Sequence, residues 1–206
     1  MRALLDVGNL CVLLGIAALG VACWVPSWSA ARVARVENRA LEVAEELLAL
    51  VRKERNTAAD EPLPAAVREA SLAALRAACL GRGQPNSDLP AFETNDPTGP
   101  ATFGNRHYLF RVQLRATQDG AAEPGDGARV LEVFAWPRNL LPPGRSVFCL
   151  AEDGKRAYTR NLIANFAGLD HAPPPDAALP RSESVDPANG SYRAANDERW
   201  LPLLGS

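Results

Sequence analysis

The chain has 206 residues, with 22 Lys and Arg against 24 Asp and Glu for a formal net charge of −2. That length suits one modest domain with appendages. The charge balance argues against nucleic acid, whose binding rests on a basic surface that neutralises phosphates.

The first 31 residues set the organisation. From Val7 to Ala31 no side chain is charged, a run close to the roughly 20 residues that cross a hydrocarbon core. Residues 1–31 are therefore predicted to be a transmembrane anchor. A cleaved leader fits less well, because only Arg2 is basic ahead of the apolar run and "SWSA" is a poor small-residue cut. A lipoprotein-type cut at "GVAC" fits poorly too, since Gly20 stands where an aliphatic residue is expected.

Beyond Pro26 the pattern becomes amphipathic. Val33, Val36, Ala40, Val43, Leu47 and Leu50 recur in steps of three and four, a packing stripe on one helical face. Arg32, Arg35, Arg39, Glu42, Glu45 and Glu46 fill the other faces, with Arg35 and Arg39 as like-charge neighbours four apart. Residues 32–56 read as the continuation of one long helix. The stripe can pack on the chain's own domain or on sister helices.

Residues 57–169 are predicted to form an α+β soluble domain. "EPLPAAVREASLAALRAACLGRG" reads as a short second helix, with Pro62 and Pro64 at its start and Gly81 at its end. Arg82 to Gly104 is dense in Gly, Pro, Asn and Asp and reads as a long loop. "YLFRVQLRA" then alternates with period two, a half-buried strand, and "RVLEVFAW", "SVFCLA" and "RAYT" follow as further strands. "EDGK" supplies an Asp-Gly hairpin before the last of them. A run of helices followed by a run of strands indicates helices packed on an antiparallel sheet, here of four strands. Residues 170–206 lack either period and read as a Pro-rich extended tail that Trp200, Leu201 and Leu203 can dock.

The residues offer little chemistry. The two histidines, His107 and His171, have no Asp or Cys at motif spacing, and no hydrolase, zinc-peptidase or nucleotide-loop motif occurs. No catalytic, cofactor-binding or metal residue is assigned. Asp119, Glu123 and Asp126 are hard oxygen ligands without a calcium-loop spacing. Asn189 opens a formal glycosylation sequon, "NGS". Cys11 and Cys23 lie in the apolar run. Cys79 and Cys149 lie in the soluble part, where they are either a disulfide or two separate buried thiols.

The segment "VPSWSAARVARVENRALEVAEELLAL" resembles the N-terminal helix of type IV pilins and type II secretion pseudopilins. Aligned on Pro26, the chain carries Leu4 where the family's processing peptidase takes glycine, and Asn9 where the mature family carries a glutamate that serves assembly. "FAWPRNLLPPGRSVFCLAEDGKRAYT" is similar to a C-terminal element of many pilin-like proteins at Trp136, Pro137, Gly144, Phe148, Asp153 and Gly154. The ending "ERWLPLL" is also similar. The resemblance implies a pilin-like fold, with the long helix packed on an antiparallel sheet. It implies a single-pass bacterial inner-membrane protein whose C-terminal domain is extracytoplasmic, although the arginines at 32, 35 and 39 alone favour the opposite orientation. It implies a non-enzymatic structural subunit of an envelope filament or secretion assembly, with the membrane and helix-bound proteins as partners. Leu4 and Asn9 favour the alternative, a non-polymerising binding or assembly-factor module.

Overall fold

The computed structural model describes residues 2–55, 65–94, 102–116, 129–140, 144–175, 177–180, 185–194 and 196–203. Within its helices and strands, the side chains at 2–11, 17, 19–27, 54–55, 65–68, 94, 116 and 129 stand outside the description. The acidic loop of Asp119, Glu123 and Asp126 is also outside it, as are the side chains of Leu4, Asn9, Cys11, Cys23 and Pro26.

Helix α1 runs over Arg2–Arg55. Its C-terminal part is built from strong helix formers, Ala, Leu, Glu and Arg. Helix α2, Ala65–Gly81, packs beside it. The predicted cap at Gly81 moves two residues on. Gly83 takes the left-handed conformation at φ 72°, its N–H donates to Leu80 O, and Gln84 N–H donates to Cys79 O. That pair of bonds satisfies the last helical carbonyls.

The predicted four-stranded sheet is corrected to one antiparallel sheet of eight strands. The strands are β1 Ala91–Thr94, β2 Thr102–Gly104, β3 Tyr108–Ala116, β4 Arg129–Pro137, β5 Val147–Ala151, β6 Arg156–Thr159, β7 Tyr192–Arg193 and β8 Arg199–Pro202. Their spatial order is β1-β2-β3-β4-β5-β6-β8-β7. The four strands anticipated from their alternation are the central β3 to β6. The outer four came from segments read as a loop and as a tail, and at two to four residues each they are too short to display a period of two.

Alternation along the central strands gives the sheet two buried faces. On one, Tyr108, Phe110, Val112, Leu131, Val133, Ala135, Phe148 and Leu150 meet Ala40, Val43, Ala44, Leu47 and Val51 of α1. The predicted stripe thus lies on the domain itself, with Ala40, Val43 and Leu47 buried and Val33, Val36 and Leu50 partly so. On the other face, Leu109, Phe134, Trp136, Val147, Cys149 and Ala157 are covered by Phe166, Ala177, Ala178, Tyr192, Ala194 and Trp200. The segment expected to extend as a tail is therefore the second cover of the sheet and supplies its last two strands. Cys79 and Cys149 are buried free thiols in clusters on opposite faces of the sheet, so they are separate and not a disulfide.

Gly144 occupies a position that requires glycine. Its φ is 125°, and a Cβ there would stand 3.0 Å from the Tyr108 hydroxyl oxygen. Gly154, at φ 91°, completes the predicted β5–β6 hairpin, in which Lys155 N–H donates to Asp153 Oδ1.

Among the described residues no helix is long and apolar enough to cross a membrane. This overturns the expected single-pass inner-membrane anchor at 1–31 and the localisation drawn from it. Between residues 32 and 39 α1 carries Arg32, Arg35, Glu37 and Arg39 in about two turns, a charge density that a hydrocarbon core excludes.

Candidate functional site

Helix α1 has two environments. From Ala40 to Val51 its inward side is buried on the sheet. Its polar residues tie the same stretch down. Glu37 accepts the backbone N–H of Arg145 and Ser146, Glu45 pairs with Arg156 at 2.8 Å, and Glu46 pairs with Arg82. Among the described side chains the core packing of α1 reaches Val36 toward the N-terminus, and the helix continues to Arg2. Val12, Leu13, Leu14, Ile16 and Trp28 on that projecting part are 61–67 % exposed. Five large exposed apolar side chains on one helix are the kind of surface that marks a protein contact.

A cleft opens where α1 leaves the domain. It has a volume of about 350 Å³ and lies between Arg35, Val36 and Arg39 of α1, the connection after α2 at Gly83, Pro85 and Asp88, and the β2–β3 turn at Asn105, His107 and Tyr108. Arg39 stands 4.0 Å from the Asp88 carboxylate. Asn105 Oδ1 accepts the N–H groups of His107 and Tyr108 and shapes the turn. Burial holds His107 below the usual imidazole range; Asp88 opposes that, while Arg106 and Arg32 add to it. His171, the other histidine, is exposed in the bridge between Ala167 and His171.

The second face of the sheet carries polar groups that the sequence presents as a solvent side. Glu132 is 1 % exposed and paired with Arg115 Nε at 2.5 Å, and Asp153 stands 3.4 Å from the same guanidinium. Desolvation raises the Glu132 carboxyl against the opposing pull of Arg115. Arg111, Gln113 and Lys155 donate to the backbone carbonyls of Pro173, Pro175 and Ala178, and the Tyr192 hydroxyl also donates to Ala178. Proline has no N–H to join a ladder, so side chains of the sheet supply the donors that seat this Pro-rich strap. Arg111 also stacks over the Trp136 ring, and Lys155 over Tyr192.

Glu198 organises the end of the strap. It is 2 % exposed and accepts from Thr159 Oγ1 at 2.6 Å and from the N–H groups of Leu162, Ile163 and Ala164. Desolvation alone would raise its carboxyl, but these four donors outweigh it and hold the group below the usual carboxylate range. Asn161 and Asn165 take positive φ in the loop it holds. Neither Glu132 nor Glu198 was singled out in the sequence. Each follows an apparently ordinary pattern, and only the cover over the second face makes it a buried charge.

Of the cysteines whose side chains are described, neither is an activated thiol, since desolvation raises both Cys79 and Cys149. Among the described residues no group of His, Cys, Asp and Glu is placed to hold a metal ion. Asn189 sits exposed in a turn, its side chain accepting the N–H of Ser191.

No protein-family model, curated protein or solved structure matches the chain. The site consists of a helix with exposed apolar side chains beside a cleft lined by Arg35 and Arg39.

Proposed function

We propose that the protein is a non-catalytic structural component, pilin-like in plan, that works by protein–protein contact through the projecting part of α1. One observation carries this reading. The helix continues well beyond the domain that stabilises it, and Val12, Leu13, Leu14, Ile16 and Trp28 stay exposed along it. An isolated helix gains its stability chiefly from packing an apolar face, so this part of α1 calls for a helical partner. In a filament or secretion pseudopilus the partners are sister copies, and the sheet domain is the head presented outward.

The second reading is a non-polymerising assembly factor that uses the same helix to hold a different protein. Leu4 and Asn9 favour it, because they replace the glycine and glutamate of the family that the helix resembles. A photo-activated cross-linker at Ile16, in cells producing the full chain, separates the two. Adducts between copies support the filament subunit, and a single heterologous adduct supports the assembly factor. Absence of any adduct, with Leu13→Asp/Leu14→Asp leaving the protein's assembly state unchanged, would overturn both.

A further inference from the structure

We infer that the cleft at the root of the projecting helix binds a small organic oxyanion, a phosphate monoester being the best-matched class, with Arg35 and Arg39 as its principal anchors.

The argument begins with charge. Arg35 and Arg39 are four apart on one helix and line the same cleft, so they repel each other in the free protein. Among the described residues lining the cleft Asp88 is the one carboxylate, 4.0 Å from Arg39; Glu37 also acts on Tyr108 but is held by the N–H groups of Arg145 and Ser146. Arg35 has no ion pair or hydrogen bond with another described residue. Arg32 and Arg106 stand near enough that His107 feels both as positive charges. The cleft is thus positive after its own carboxylate is counted, and an anion relieves the repulsion.

Geometry narrows the class. A guanidinium offers a planar fork that matches the oxygens of phosphate in pairs. Asn105 Oδ1 is committed to two backbone N–H groups, which leaves its amide N–H pair to donate. Two forks, an amide and an imidazole exceed what the two oxygens of a carboxylate absorb and suit the three of a phosphate monoester. Val36 and Pro85 line the cleft beside its polar groups, an apolar side for the organic part of the ligand. The volume of about 350 Å³ falls in the usual range of small-molecule sites, about 300–1,000 Å³.

Calorimetric titration of the full chain with phenyl phosphate, inorganic phosphate and benzoate, at about 150 mM salt to screen loose attraction, tests this. Phenyl phosphate is expected to bind tightest. Arg35→Gln and Arg39→Gln should each weaken it at least about tenfold, the loss of a charge-assisted bond. Asp88→Asn, which removes the competing carboxylate, should strengthen it. Arg52→Gln, an exposed change on the same helix outside the cleft, should leave it unchanged, and thermal melts of each variant verify the fold. Equal weakening by Arg52→Gln, or no saturable binding below about 10 mM, overturns the site. Inorganic phosphate bound as tightly as phenyl phosphate overturns the role of the apolar side. As an independent readout, bound phenyl phosphate should raise the His107 titration midpoint against burial and the field of Arg106 and Arg32, acting in the same sense as Asp88.

Discussion

The two faces of the sheet are buried by different means. The α1 face is covered by a helix that satisfies its own backbone, so its buried core is apolar and the polar ties come from Glu37, Glu45 and Glu46 side chains. The strap face is covered by a chain that satisfies only some of its own carbonyls, so Arg111, Gln113, Lys155 and Tyr192 serve the others as donors. A cover's backbone chemistry thus dictates the side chains under it. Polar residues on a strand need not mean a wet face.

The largest test of that contrast is Glu132. Replacing it with Ala leaves Arg115 buried beside only the more distant Asp153, and should cost about 4 kcal/mol in urea unfolding. The double change Glu132→Leu/Arg115→Met should recover most of this, because an apolar pair of similar size suits the site. On the apolar face, Leu47→Ala should cost about 3 kcal/mol, and no polar partner change there should rescue it. Glu198→Gln should cost about 2 kcal/mol through weakened charge-assisted bonds, read as a lower thermal midpoint. Tyr192→Phe, which removes one donor from Ala178, should cost about 1 kcal/mol and should leave α1 packing unchanged by hydrogen exchange.

Acid separates the two buried carboxylates by sign. Glu198 is held below the ordinary carboxylate range, so its stabilisation is complete above that range and is lost as pH falls through its folded value. Glu132 is raised, so its folded form takes a proton more readily than the unfolded chain, and acidification favours folding at that site. Stability measured from pH 7 to pH 3 should therefore fall less steeply in Glu198→Gln and more steeply in Glu132→Gln. Parallel curves for both variants would contradict the assignment.

The sequence showed the helices and the central meander because each carries enough residues to display its period. The stripe from Val33 to Leu50 and the alternation of Tyr108 to Leu114 are such signals. It hid β1, β2, β7 and β8, which are ordered by pairing with neighbours more than by their own pattern. It also hid the strap, because a Pro-rich run has no regular hydrogen-bond ladder to announce and is held by residues some 62 positions away, Arg111 to Pro173 and Gln113 to Pro175. Of the cleft, Arg35 and Arg39 were legible as a repelling pair. Asn105, His107 and Asp88 were not, since only the packing of the loops against α1 brings them there.

The strap has a thermodynamic consequence of its own. Three consecutive prolines, Pro173 to Pro175, fix their φ angles before the chain folds, so the unfolded segment samples few shapes and little freedom remains to be lost when it lands. The second face of the sheet is closed by a piece of chain that arrives already stiff. Substituting these prolines by glycine should loosen that closure without removing a single hydrogen bond seen in the folded protein.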